Sequence, residues 1–335
     1  MKAPEFWESG KGGAPALVLS LLLSPLGWAY GALTRLRLKA ARPWRATVPV
    51  ICIGNLTAGG AGKTPVALNI AGRIREKWVN VHFVSRGYGG RLAGPVRVDP
   101  ESHTFRDVGD EALLLARACP TWVGRDRVRT CRAAIENGAE AIIMDDGFQN
   151  PGVAKDLSLL VVDGAYGFGN GRMIPAGPLR EPVAQGLRRA DAVILIGVDS
   201  HGTQQFIANG ANKYIPVLRA HVKPGPEGKE LIGQPVVAFA GIGHPQKFFN
   251  TLLDLGCRIL KAHPFPDHHR FSPGEVEAIL REAGDVNALP ITTEKDSVRI
   301  APQLADRVKV LTIRLEWEDE TTLDTVLQSL ECHGR

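Results

Sequence analysis

Short apolar runs alternate with amphipathic segments over most of the chain after residue 45. In the first half each run has four to six largely aliphatic positions, and a turn containing glycine follows it. Such runs predict buried strands, and helical periodicity between them predicts crossover helices. In the first half we predict strands at Val48–Ile53, Val79–Val84, Ala141–Met144 and Leu157–Val162, and a helix at Arg125–Asn137. The pattern indicates an α/β fold with a mostly parallel sheet.

The alternation continues to the C-terminus and predicts a second α/β unit. Its predicted strands are Ala192–Ile196, Tyr214–Leu218, Val236–Ala240, Arg258–Ala262 and Val308–Ile313, and its predicted helices are Pro245–Leu255, Ser272–Ala283 and Glu320–Leu330. A chain of 335 residues suffices for two domains, which usually have roughly 100–200 residues each. We therefore expect an N-terminal segment (residues 1–44), a first α/β core (45–165) and a second, smaller α/β domain (166–335).

The N-terminal segment contains an uncharged apolar stretch, Ala14–Leu33, about as long as a bilayer core is thick. A cleaved signal peptide is one alternative, but it would export residues 57–64, a glycine-rich loop that suits nucleotide phosphates, to a compartment without nucleotide. Pro25 and Gly27 weaken the interpretation as a spanning helix, and a buried core helix is the third alternative. We favour an interfacial helix with Trp28 and Tyr30 near the lipid headgroups. A basic cluster that suits anionic lipid follows it: Arg35, Arg37, Lys39, Arg42 and Arg45.

A glycine-rich turn between the first predicted strand and an amphipathic segment has the features of a phosphate-binding loop. Glycines let successive backbone N–H groups converge on an anion at a helix N-terminus. A lysine then reaches the outer phosphates, and the next hydroxyl completes a Mg²⁺ site. Thr57 stands where the usual pattern has glycine, and a plain turn with an incidental lysine is the alternative. The predicted nucleotide-binding residues are Thr57, Ala58, Gly59, Gly60, Ala61, Gly62, Lys63 and Thr64.

Two acidic pairs are further candidates for chemistry. Asp145 and Asp146 directly follow a predicted strand, and adjacent buried carboxylates repel unless a cation lies between them. This predicts a magnesium-binding element, with an ordinary strand-end turn as the alternative. Asp110 and Glu111 open a predicted helix, and taken alone they indicate only helix capping.

Three glycine- or histidine-containing loops have open interpretations. Ser85–Arg91 (SRGYGGR) suits either an anion-facing loop or a flexible one, and Gly167–Glu181 is a long Gly/Pro-rich loop that carries Arg172 and Arg180. Paired histidines in Phe265–Phe271 (FPDHHRF) fit a metal site, an acid/base role or a helix cap equally well.

Charge and cysteine content narrow the range of partners. The net charge of +5 fits an anionic partner, but we find no RNA-binding signature, zinc-finger spacing or basic-aromatic array, so nucleic acid is not expected. Five scattered cysteines without C-x-x-C spacing indicate small core residues in a reducing compartment. They are Cys52, Cys119, Cys131, Cys257 and Cys332.

Taken together, the motifs resemble the tetraacyldisaccharide 4′-kinase (lipid A 4′-kinase) family over nearly the whole chain after residue 45. In chain order they are GNLTAGGAGKTP, SRGYGGR, VGDEALLLA, DDGFQ, GNGRMIPAGPLREP, FAGIGHPQKFF, FPDHHRF and TTEKD. The resemblance implies an ATP- and Mg²⁺-dependent kinase that phosphorylates the 4′-hydroxyl of tetraacyldisaccharide 1-phosphate in lipid A biosynthesis. It implies two α/β domains, of which the first has a P-loop NTPase-like fold, and a membrane-associating helix at the cytoplasmic face of the bacterial inner membrane. No obligate protein partner is inferred.

The resemblance also implies roles for single residues. Lys63 and Thr64 match the nucleotide loop, Asp110 matches the proposed catalytic base, and His268 matches the residue that orients that base. Arg180 is a candidate for charge stabilisation or for contact with a substrate phosphate, whereas Asn150 replaces a histidine common in the family. The expected metal-handling residues are Thr64, Asp145, Asp146, Glu111 and Glu181, with Gln149 as a support.

Two other functions use some of the same features. A non-catalytic, membrane-associated nucleotide switch accounts for the loop and the N-terminal helix, but it gives no reason for the GDE and DHH motifs. A kinase that acts on a soluble metabolite gives no reason for the apolar N-terminus.

Overall fold

Thirteen strands are found in the part of the chain that the computed structural model describes, residues 4–10, 13–76, 80–210 and 215–330. The predicted residues Val79, Tyr214 and Cys332 lie outside these ranges. The strands are β1 (Val50–Gly54), β2 (Val81–Ser85), β3 (Val96–Arg97), β4 (Thr121–Val123), β5 (Ala141–Asp145), β6 (Leu157–Asp163), β7 (Ala192–Ile196), β8 (Val217–Pro224), β9 (Pro235–Ala240), β10 (Arg258–Pro264), β11 (Leu289–Thr293), β12 (Lys309–Leu311) and β13 (Ile313–Trp317).

The helices of the same described ranges lie mostly between consecutive strands. They are α1 (Gly13–Ala40), α2 (Lys63–Ile74), α3 (Phe105–Val108), α4 (Asp110–Ala116), α5 (Arg127–Glu136), α6 (Val183–Leu187), α7 (Thr203–Asn209), α8 (Pro245–Asp254), α9 (Pro273–Asp285), α10 (Glu294–Ser297), α11 (Pro302–Ala305) and α12 (Glu320–Gln328). Short 3₁₀ helices span Glu5–Trp7 and Pro226–Leu231.

The described strands form two sheets. The larger has the order β13-β8-β7-β6-β1-β5-β2-β4-β3, and all its pairs are parallel except β13 with β8 and β3 with β4. The smaller has the order β10-β9-β11-β12 and is parallel throughout. Because parallel strands share one direction, the loops after β1, β2, β4 and β5 all emerge at the same edge of the larger sheet.

The centre of the larger sheet is fully covered. All five residues of β1 are buried, and α2 packs Val66, Ile70 and Ile74 on the core beside it. These three residues recur at intervals of four, so they lie on one face of the helix. The phosphate loop therefore leaves the sheet from a fully buried central strand.

Strand pairing differs from the predicted division of the chain at residue 165. β7, β8 and β13 were assigned to the second unit, but they pair in the larger sheet. The predicted strand Val308–Ile313 is two strands, β12 and β13, one in each sheet. Apolar content alone does not show which sheet a strand joins, because pairing depends on long-range register.

The chain crosses between the sheets at two adjacent points. It leaves the larger sheet after β8 and returns at Thr312, and the Gly225 N–H donates to the Thr312 carbonyl over 2.9 Å. The Glu227 carboxylate also accepts from the Thr312 backbone N–H. The smaller sheet unit, residues 225–312, is thus joined to the larger one by two neighbouring chain segments, at Gly225 and Thr312.

The described cysteines confirm the predicted core role. Cys52, Cys119, Cys131 and Cys257 are buried free thiols. Burial raises the pKa of the Cys52 thiol to about 12, so this thiol stays protonated.

Candidate active site

The phosphate loop connects β1 to α2 with two glycines in left-handed backbone conformations. Gly59 has φ 118° and Gly62, which precedes the first residue of α2, has φ 82°. A Cβ on Gly62 would also lie 2.6 Å from Cδ1 of Ile196, so another residue would be strained in its backbone and would require the Ile196 side chain to shift. The predicted strand, loop and helix are confirmed.

Asn55 organises this loop, and the sequence analysis gave it no role. It is fully buried, and its amide nitrogen donates to the Thr57 carbonyl over 2.7 Å. Its amide oxygen accepts from Nζ of Lys63 over 3.2 Å. A polar residue directly after a buried strand was the available signal, in the motif GNLTAGG.

The long Gly/Pro-rich loop forms one wall of the phosphate loop. The Ala58 N–H donates to the Pro178 carbonyl over 2.8 Å, and the Arg180 N–H donates to the Leu56 carbonyl over 2.8 Å. This pairing brings the Arg180 side chain to Asp146, whose two carboxylate oxygens it binds at 2.9 and 3.0 Å.

Asp146 lies between two of the predicted site cations. Nζ of Lys63 is 3.4 Å from its Oδ1, on the same carboxylate that Arg180 binds. Burial opposes ionisation of Asp146, but the charges of Lys63 and Arg180 outweigh it and lower the pKa. Two cations that suit phosphate are therefore held together by one carboxylate.

Asp145 has the opposite environment. It is 1% exposed, and neither carboxylate oxygen has a hydrogen-bond partner. Burial, and then the charge of Glu111, raise its pKa to about 7. A buried carboxylate without partners is costly, and a cation is the usual remedy.

The residues present fit a magnesium ion with few protein ligands. The described part of the chain has no group of three or more His, Cys, Asp or Glu side chains that could hold a metal by itself. Mg²⁺ commonly uses one or two carboxylates and fills its other positions with water and substrate phosphates. Asp145 and the Thr64 hydroxyl, at the second residue of α2, suit that pattern.

Two other predicted metal-handling residues already have protein partners. Glu181 is fully buried and accepts from Arg189 and, over 3.1 Å, from Gln149. Oε1 of Glu111 is 3.3 Å from Nζ of Lys295. In this arrangement both carboxylates are neutralised without a metal.

Asp110 and His268 come together from different sheets. Asp110 is the first residue of α4 and is 5% exposed, and His268 lies in the loop after β10. Their side chains are joined between Nδ1 and Oδ2 over 2.8 Å. Burial opposes ionisation of Asp110, but the His268 hydrogen bond and the charge of Lys295 outweigh it and lower the pKa to about 2. Asp110 is therefore an anion at neutral pH.

The backbone holds His268 in place. Its φ is 58°, and its N–H donates to the Gly241 carbonyl over 3.0 Å. Arg299 adds a second cation, with Nε 3.7 Å from Oδ2 of Asp110. Sequence reasoning missed Arg299 and Lys295, although the unassigned motif TTEKD contains the lysine and ends three residues before the arginine.

His269 has a different environment from His268. Its Nε2 is 3.1 Å from Glu275, which also forms the capping box of α9 with Ser272. Its ring stacks on Phe265 with centroids 4.6 Å apart. Of the alternatives for the paired histidines, His268 has an acid/base geometry and His269 supports a helix start.

The SRGYGGR loop packs against the segment that carries Asp110. A Cβ on Gly109 would lie 2.4 Å from the Tyr88 carbonyl oxygen, and Gly109 has φ 87°. The Tyr88 ring is 70% exposed, with its centroid 5.8 Å from that of His268. This loop therefore forms a wall of the candidate site.

α1 presents small and polar residues to the protein and large apolar residues outward. Its buried residues are Ser20, Ser24, Gly27 and Gly31, whereas Leu22, Leu26, Trp28 and Leu33 are 60–71% exposed. This exposure contradicts the alternative of a buried core helix. By length and composition α1 can cross a membrane, and it continues through Pro25.

The same Gly/Pro-rich loop receives the inner face of α1. The Ser20 hydroxyl donates to the Ala176 carbonyl over 2.7 Å, and Arg172 donates to the Ser24 hydroxyl over 2.6 Å. A cavity of about 590 Å³ lies between α1 and this loop, and its lining includes Trp28 and Phe168. One loop thus connects the apolar helix to the phosphate loop.

Comparisons with known proteins confirm the family resemblance that the motifs indicated. A family model described as tetraacyldisaccharide-1-P 4′-kinase matches residues 19–331. A tetraacyldisaccharide 4′-kinase of Rhodospirillum centenum is 54% identical, covering 98% of this chain and 97% of the relative. One of Paramagnetospirillum magneticum is 53% identical, covering 96% and 97%.

A solved structure has the same fold. It is described as the apo form of LpxK from Aquifex aeolicus in complex with ATP, and it is 25% identical with a TM-score of 0.73. The match covers 93% of this chain and 99% of that one. The chain belongs to the tetraacyldisaccharide 4′-kinase family, whose members are enzymes of lipid A biosynthesis.

Proposed function

We propose that the protein transfers the γ-phosphate of ATP to the sugar 4′-hydroxyl in the cleft between the two sheet units. In this proposal Asp110 is the base. The observation that carries this proposal is the Asp110–His268 pair. Glu111, the residue next to Asp110, interacts with Asp145 at the loop edge of the larger sheet, so the pair lies beside the expected metal site. The switch alternative leaves that pair without a purpose, and the family consists of kinases.

The phosphate loop holds the nucleotide. The loop of residues 57–64 lies along the phosphates with the backbone N–H groups of residues 59–64 facing them, because the Ala58 N–H is bonded to the Pro178 carbonyl. Lys63 exchanges its contact with Asp146 for the outer phosphates. Arg180 makes the same exchange and neutralises charge on the transferred phosphoryl group. ATP binding in the matched Aquifex aeolicus structure supports this assignment.

Asp145 and Thr64 hold magnesium in this proposal, with Asp146 and Glu111 nearby. The ion supplies charge neutralisation to the phosphates when bound. The partnerless oxygens of Asp145 support the assignment. Glu181 acts indirectly, because its contact with Gln149 fixes an amide that also donates to the Asn55 carbonyl over 2.9 Å.

Asp110 accepts a hydrogen bond from the sugar hydroxyl and then takes its proton. A pKa of about 2 makes this carboxylate a weak base. In a loose phosphoryl-transfer transition state the bond from the sugar oxygen to phosphorus is still little formed, so a strong base is not required. Orientation of the hydroxyl is therefore the larger contribution, and the 2.8 Å contact with His268 provides it.

The lipid substrate reaches the site from the membrane surface. The outward apolar face of α1 enters the interface, and exposed Arg37, Lys39 and Arg42 face anionic lipid. The cavity beside Trp28 and Phe168 suits an acyl chain. Since ATP is cytoplasmic, we place the enzyme at the cytoplasmic face of the inner membrane.

Transfer of labelled γ-phosphate to purified tetraacyldisaccharide 1-phosphate in detergent tests the proposal. The intact protein labels the lipid, Lys63→Ala loses ATP binding and transfer, and Asp110→Ala loses transfer but keeps ATP binding. Loss of ATP binding and transfer to the same extent in Asp110→Ala would contradict the assigned base.

A further inference from the structure

Each member of the Asp110–His268 pair has an acidic neighbour in the sequence. Glu111 follows Asp110, and Asp267 precedes His268. Both neighbours approach the same ammonium group: Nζ of Lys295 lies 3.3 Å from Oε1 of Glu111 and 4.0 Å from Oδ1 of Asp267. One lysine therefore contacts both segments that supply the pair.

Lys295 reaches Glu111 across the division between the sheets. It lies on α10, which follows β11 of the smaller sheet, whereas Glu111 lies on α4 beside the larger sheet. Its side chain is 23% exposed. Burial opposes its charge, but the surrounding carboxylates, Glu111 first, outweigh this and raise its pKa, so the ammonium stays charged.

Without this cation the local charges repel. In the described part of the chain Asp110 would keep its contacts with Arg299 and the His268 ring, and Arg299 is also bound to Asp296 over 2.6 Å. Glu111 and Asp267 would each lose an ion pair. Like charges held close together in a poorly solvated site separate if they can. Separation of Glu111 from Asp267 moves their direct neighbours, Asp110 and His268, apart.

We propose that Lys295 is a positioning residue, which holds Asp110 and His268 at bonding distance by binding the acidic neighbour of each. This inference rests on the proposed function of Asp110. It assigns Lys295 a role toward Glu111 and Asp267 and none toward ATP.

Steady-state kinetics of Lys295→Met, Lys295→Gln and Lys295→Arg test the inference with ATP and lipid each varied. The neutral variants lose about 10²-fold in kcat, as expected for a misplaced reacting group, while KM for ATP changes less than about twofold. Lys295→Arg recovers most of kcat because it keeps the charge. Lys261→Met is the matched control, since Lys261 lies on the exposed edge strand β10 and pairs with Glu282 of α9.

Several results would overturn the inference. These are an unchanged kcat in both neutral variants, a raised KM for ATP with kcat preserved, or an arginine variant as slow as the methionine one. Failure of both neutral variants to bind ATP would also overturn it. Asp110→Asn in the same series separates the two proposals: if it keeps full activity, the base assignment fails, and if only the Lys295 variants keep full activity, only this inference fails.

Discussion

Nδ1 of His268 lies 2.8 Å from Oδ2 of Asp110, although 158 positions of sequence separate the two residues. One belongs to the larger sheet unit and the other to the smaller one, which the chain enters and leaves at Gly225 and Thr312. The candidate base therefore exists as an oriented group only when the two units are docked.

The first prediction concerns Asp145 and pH. Its pKa rises from 3.8 to about 7 on folding, so between these values the native state binds more protons than the unfolded state. The metal-free protein therefore loses stability as pH rises from about 4 to 7, by at most about 4 kcal/mol, since one unit of pKa corresponds to about 1.4 kcal/mol.

Urea unfolding at pH 5 and pH 8 measures this loss. Asp145→Asn cannot ionise, so its free energy of unfolding changes less between the two pH values than that of the intact protein. Mg²⁺ with ATP stabilises the intact protein at pH 8 more than it stabilises the variant. An identical pH dependence in the two proteins would show that Asp145 does not carry the effect.

The second prediction concerns Asn55, which has no charge but links the phosphate loop to Lys63. Asn55→Ala removes both hydrogen bonds and leaves a buried carbonyl unpaired, which costs about 1–3 kcal/mol. We expect a lower melting temperature and an ATP affinity reduced about tenfold or more. Calorimetry of ATP binding checks this, with Asn137→Ala as a control at an exposed helix end. Unchanged ATP affinity in Asn55→Ala would contradict the role.

The third prediction concerns the outward face of α1. Leu22 and Leu33 are 71% and 68% exposed, and burial of one leucine side chain contributes about 1.5–3 kcal/mol. Replacing both with glutamine lowers binding to anionic phospholipid vesicles by about 10²-fold or more, whereas phosphate-loop function in ATP binding is kept. Val198→Ser, at an exposed apolar residue elsewhere, leaves vesicle binding unchanged. Sedimentation with vesicles measures the binding. Equal binding of the intact protein, the double glutamine variant and Val198→Ser would exclude α1 as the anchor.

Local patterns predicted the parts of the fold that local physics determines. β7 has the predicted bounds, and α8 and α9 match the predicted bounds within about two residues. Apolar runs and helix-capping residues are local signals that neighbouring positions of the sequence carry. β7, β8 and β13 were predicted in the second unit but pair in the larger sheet, because pairing is decided by residues far apart in the sequence.

The site shows the same difference between local and distant information. The phosphate loop and the carboxylates at the end of β5 were predictable, since each is one short motif at the end of one buried strand. Lys295 and Arg299 were not, because Glu111 and Asp110, which they contact at the site, lie in the other sheet unit. The motif TTEKD alone indicates no chemistry. The roles of Asp110 and His268 came from family resemblance, and spacing alone left capping and metal binding open.

The most direct test of the central claim is a double-mutant cycle on kcat for lipid phosphorylation with Asp110→Asn and His268→Ala. If the pair acts as one unit, Asp110→Asn lowers kcat by about 10²–10⁴-fold and the double variant is scarcely slower than that single variant. ATP affinity stays within about twofold in all three. Fully additive losses would contradict the account, because they would mean that His268 acts independently of Asp110.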